Sequence, residues 1–130
     1  MTTVGGARPD LAAHERATRI ALPEAVAEAT RLLGPKLVAY ICRVGETRAV
    51  LQWSRGERVP RDPIPARIRL ALQVANLIAS HDNERVAQAW FQGLNPQLDD
   101  RSPATLLRED DVEKVGPQIM AAARAFVVGG

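Results

Sequence analysis

Thr47, Arg48, Gln52 and Arg55 fall on the outer side of a short predicted helix, about Glu46 to Ser54, whose Ala49, Val50 and Trp53 turn inward. Their chemistry is that of nucleic-acid contact. Arginine reads guanine edges, glutamine reads adenine, and nearby Lys36, Arg43 and Arg58 suit phosphates. Glu46, at the expected tip, works against this because a carboxylate repels phosphate. The alternative reading is an ordinary helical bundle with an arginine-rich face.

No catalytic constellation accompanies these residues. His14 and His81 are far apart in sequence, and no His/Cys cluster has zinc-ligand spacing. No glycine-rich phosphate loop is present. Cys42 falls on the inner side of a helix, as a core thiol does. Asp99-Asp100 and Asp110-Asp111 are carboxylate pairs of adjacent residues, and adjacent residues do not face one site. The expectation is a protein that is not an enzyme, with no catalytic residue, no metal and no cofactor.

Charge is uneven along the chain. Residues 35–69 hold eight basic and three acidic side chains, whereas residues 81–130 hold five basic and eight acidic, so a basic middle is followed by an acidic end. Two kinds of partner suit that split, one of them polyanionic. Hydrophobic residues make up 46% but aromatics only 4%, and Ala, Leu and Val dominate, which favours helices over a sheet. No apolar run approaches the roughly 18 residues of a membrane span. A single cysteine and the lack of a basic-then-apolar leader point to the cytoplasm.

The elements that hold the basic residues follow from helix signals. Leu22-Pro23-Glu24 opens a helix with an apolar stripe at Val26, Ala29, Leu32 and Leu33, and Gly34 ends it. A second helix, about Pro35 to Arg43, turns Leu37, Val38, Ile41 and Cys42 inward. Val44-Gly45 is a tight turn into the third. Two short helices joined by a glycine-containing turn, behind a supporting helix, read as a helix-turn-helix. Prolines 60, 63 and 65 make a stiff connector. The longest helix, about Pro65 to Ser80, is apolar on most sides, so it is either central or buries a face against a second copy. The expected organisation is an arm over 1–21, a helix-turn-helix region over 22–64, and a helical dimerisation and partner-binding region over 65–130.

Downstream, Asp82 is expected to cap a helix running into Trp90-Phe91, which Gly93 stops in a left-handed conformation. Asn95-Pro96 forces a turn. Ser102 caps a short helix with Pro103 at its first position. Two bulky aromatics therefore stand beside a proline-set corner, facing either the core or a partner. Asp110-Asp111 begins a last helix that Gly116-Pro117 interrupts or restarts. Its end, Ala125-Phe126-Val127-Val128-Gly129-Gly130, is apolar where termini are usually polar, which suits docking on its own domain or on a partner.

The segment Ala89 to Arg108 resembles the signature of the Xre/MbcA/ParS-like toxin-binding domain: Trp90-Phe91, Asn95-Pro96, Leu98, a polar turn, Ser102-Pro103 and Leu106-Leu107. Thr47 to Gly56 resembles the Xre helix-turn-helix of that family, and together the likeness covers about 22–128. It implies an all-α, dimeric antitoxin of a RES-domain toxin that acts on NAD, with operator DNA as a further partner. By that resemblance Trp90, Phe91, Asn95, Pro96 and Arg108 belong to the toxin-binding region. Arg124, Phe126, Val127, Val128, Gly129 and Gly130 approach the toxin's active-site cleft and block it without catalysis. A stand-alone helix-turn-helix regulator is the alternative.

Overall fold

In the computed structural model, residues 20–129 are described. The expected arm over 1–21, except its last two residues, and Gly130 lie outside them. The chain is all-α, with seven α-helices and no strand among the described residues. They are α1 (Leu22–Leu33), α2 (Pro35–Cys42), α3 (Thr47–Ser54), α4 (Ile64–His81), α5 (Glu84–Gln92), α6 (Pro103–Glu109) and α7 (Val112–Gly129), with a 3-10 turn at Pro96–Leu98. None is long and apolar enough to cross a membrane.

The apolar spacing explains the packing. On α1, Ala25, Val26, Ala29, Leu32 and Leu33 are buried, and this stripe lies on α4 and α3. Gly34, at φ 87°, takes a backbone conformation that a side chain would strain, which lets α2 start at once in a new direction. The longest helix, α4, is central. Ile68, Leu70, Ala71, Leu72, Val74, Ala75, Leu77 and Ile78 are all buried, against α1, α2, α5 and α7. Of the two roles its sequence allowed, the structure selects the central one, and no apolar side of α4 is left for a second copy. One apolar cluster runs from Ala25 to Ala123, so the core is continuous across the proline connector.

Several local expectations are corrected. The cap of α5 is Asn83, not Asp82: the Asn83 side chain accepts from the Val86 N–H at 3.0 Å. Gly93 is extended (φ −82°), not left-handed. A Cβ there would stand 3.3 Å from the Ala89 carbonyl oxygen, so glycine serves a close approach instead of a left-handed cap. Among the described residues, the non-glycine left-handed positions are Arg43, Asp99 and Asp100. Short polar aspartates tolerate that region better than most side chains. Gly116-Pro117 does not break α7, which runs unbroken through Pro117. The proline removes one N–H near the helix start, and the freed carbonyl belongs to Glu113, an exposed residue that water reaches.

Cys42 is buried, as its helical position predicts. Burial pushes its thiol up from 9.0 to about 12, while the neighbouring Arg67 charge pulls the other way. Because the folded value is raised, stability is unaffected below the ordinary thiol range and declines as pH rises from 9.0 toward about 12. Ellman's reagent at pH 8 is expected to leave the native thiol unmodified and to react fully in denaturant. Prompt native reaction would contradict the burial. Arg67 itself, counted in the basic stretch, is buried and contributes nothing to the outer surface.

Candidate functional site

The corner after α5 is built by its own backbone. Asn95 accepts from the Gln97 N–H through its side chain at 2.9 Å, and its carbonyl accepts from the N–H groups of Leu98 and Asp100, each at 2.9 Å. The Asn95 N–H donates to the Arg101 carbonyl at 3.2 Å, closing the loop. Asn95 is extended (φ −122°), as the proline after it requires. The Arg101 guanidinium then donates to Glu109 at 3.0 Å and Asp110 at 3.4 Å, and the Ser102 hydroxyl accepts from the Thr105 N–H at 3.1 Å. Such a corner presents whatever it carries in one fixed orientation.

It carries a groove of about 300 Å³ between the corner and α7, lined by Trp90, Leu94, Asn95, Pro96, Ala122 and Phe126 among others. Trp90 is half-buried, its ring 6.4 Å from that of Phe126 and edge-on to that of Phe91 at 5.5 Å. Phe91 is 0% exposed, so of the two directions left open it takes the core, which removes it from the toxin-binding surface that the resemblance implied, and it braces Trp90 from the core side. Leu94, in the groove, is 75% exposed, a large apolar group facing water beside a rigid aromatic wall, and Val128, near the end of α7, is 88% exposed. Val127 is half-buried, and Arg124 and Gly129 are exposed on the same helix. The apolar end is therefore the last turn of α7 through Gly129.

The sequence reading missed Leu94. Its signal was present: a large apolar residue between Gly93 and Asn95, in a turn where polar residues are usual. Arg108, grouped by sequence with Trp90, is not in the groove. It stacks over the Tyr40 ring at 4.5 Å and donates to the Tyr40 carbonyl at 2.7 Å, joining α6 to α2. The Tyr40 and Thr105 hydroxyls share a further hydrogen bond of 3.0 Å.

The basic residues gather on α2, α3, the turn between them and the segment that follows α3. Lys36, Arg43, Arg48, Arg55 and Arg58 are exposed, and Thr47 is half-buried at the start of α3. Gln52 is half-buried and its side-chain oxygen accepts from Arg58 at 3.3 Å, which occupies one of the two groups that an adenine edge requires. Leu51 is 42% exposed on the outer side of α3. Among the described residues, no group of three or more His, Cys, Asp and Glu side chains converges to hold a metal. The groove has shape and apolar area, and its walls carry no nucleophile or general base.

No family model matches the chain, and no curated protein matches it. A solved structure does. The chain is 28% identical to a chain of the crystal structure of the M. tuberculosis MbcT–MbcA toxin–antitoxin complex, with a TM-score of 0.63. The match covers 82% of this chain and 96% of that one. It agrees with the resemblance read from Ala89 to Arg108, and in fold and in sequence the chain is MbcA-like.

Proposed function

We propose that the chain is an antitoxin that binds a RES-domain, NAD-consuming toxin in the cytoplasm and stops it by steric occlusion. The observation that carries this reading is the rigid apolar groove at Trp90, Leu94 and Phe126. Apolar surface on a proline-set corner suits a partner protein, because a pre-ordered surface loses little entropy on binding. Similarity to a toxin–antitoxin complex supports the antitoxin role. In this reading Trp90, Asn95 and Pro96 anchor the toxin, and Arg124 with Phe126 to Gly130 enters its active-site cleft. The chain supplies no chemistry of its own.

Operator binding through α2 and α3 is the second part of the proposal, favoured by the exposed Arg43, Arg48, Arg55 and Lys36. A regulator without a toxin is the alternative that this basic surface also supports. A homodimer belongs to the same proposal, through a face other than α4. The test is co-expression with the protein encoded by the neighbouring gene. A complex that survives gel filtration, and that Trp90→Ala weakens by about tenfold or more, is the expected result. Failure to form any complex would leave only the regulator.

A further inference from the structure

Arg108 lines a cleft of about 550 Å³ together with Lys36, Tyr40, Glu46 and Thr47. A separate cleft of about 530 Å³ holds Arg48, Gln52 and Arg58, again with Glu46. Val44, Gly45 and Glu46 line both, so the turn leading into α3 is a ridge with a cleft on either side. Each cleft has its own pair of cations: Lys36 and Arg108 in one, Arg48 and Arg58 in the other. Duplex DNA has the matching form, with base edges on the floor of a groove and a phosphate strand along each side.

We propose that the cleft of Lys36 and Arg108 is a phosphate-contact site for one strand of duplex DNA, with Arg48 and Arg58 holding the opposite strand. The inference rests on the DNA-binding part of the proposed function and adds α6 to that surface. Arg108 is already ordered, since it stacks on Tyr40 and gives one Nη1 bond to the Tyr40 carbonyl. A guanidinium has five N–H donors in a fixed fork, so donors remain for a phosphate oxygen. Glu46 is the carboxylate that lines both clefts, and its repulsion turns phosphates away from the ridge toward the cations on the two sides.

The test is fluorescence anisotropy with a labelled duplex of mixed sequence, titrated between about 50 and 200 mM salt. The slope of log affinity against log salt is expected to fall by about 1 for Lys36→Gln, and by about 2 for Lys36→Gln with Arg108→Gln. Arg48→Gln with Arg58→Gln should lower it by a similar amount. Lys36 is exposed, so Lys36→Gln leaves the Tyr40 stack in place and reads the charge alone. Inhibition of the toxin should be unchanged in Lys36→Gln. If the wild type binds the duplex and only the Arg48/Arg58 variant loses slope, the proposal is overturned and the helix-turn-helix reading survives. If the wild type shows no salt-dependent binding, both are overturned. Loss of toxin inhibition with an unchanged slope would return Arg108 to the toxin surface and overturn the proposal as well.

Discussion

Deleting Val127 to Gly130 is expected to weaken toxin inhibition by about a hundredfold, close to 3 kcal/mol of binding, while the helical fold persists. Val127 to Gly129 form the far end of α7, and the buried residues of that helix stop at Ala123. Val128 and Gly129 are exposed, so their loss removes little from the core. Val127 is half-buried, and its removal should lower the melting temperature by only a few degrees. Phe126 remains beside Trp90, so the groove keeps its aromatic wall. Circular dichroism checks the fold, and an NAD-consumption assay checks inhibition. Arg48→Ala with Arg55→Ala is the contrast, expected to weaken DNA binding and leave inhibition intact. Undiminished inhibition after the deletion would remove the occluding role from the tail.

Phe91→Ala is expected to have the largest effect on stability, about 3–5 kcal/mol. Phe91 is wholly buried on α5, beneath Trp90 and inside the cluster that contains α4. Nothing nearby is free to collapse into the space, because the corner after α5 is held by its own hydrogen bonds. Domains of this kind have about 5–15 kcal/mol in total, so such a loss takes a large share of the stability. Trp90→Ala removes a half-buried ring and should cost the fold less and toxin binding more. Urea unfolding of the two variants separates bracing from contact. A cost below about 1 kcal/mol for Phe91→Ala would contradict the packing described here.

Most of the helices were legible in the sequence, because apolar spacing, prolines at first helical positions and Ser102 all point the same way. The cap of α5 was misread because Asp82 and Asn83 are both good caps, and only the register of the Val86 N–H chooses between them. Pro117 was misread because a proline inside a helical pattern usually marks a break, whereas here the packing of α7 carries the helix through it. Trp90 and Phe91 are adjacent, so helical geometry gives them different faces, and sequence alone did not assign which one goes inward. Arg108 was grouped with its sequence neighbours, whereas its partner Tyr40 is 68 positions away, and no local pattern carries that contact. The groove was half legible: the aromatic side came from the Trp90–Pro96 stretch, but its opposite wall on α7 required the tertiary fold.

The central claim is inhibition of a toxin by contact alone, and a titration tests it most directly. The protein encoded by the neighbouring gene is assayed for NAD loss while this chain is added in increasing amounts. The account predicts that NAD loss stops at a fixed molar ratio and that the two proteins then elute together. NAD loss that continues at the same rate with this chain in excess, with the two proteins eluting apart, would contradict it.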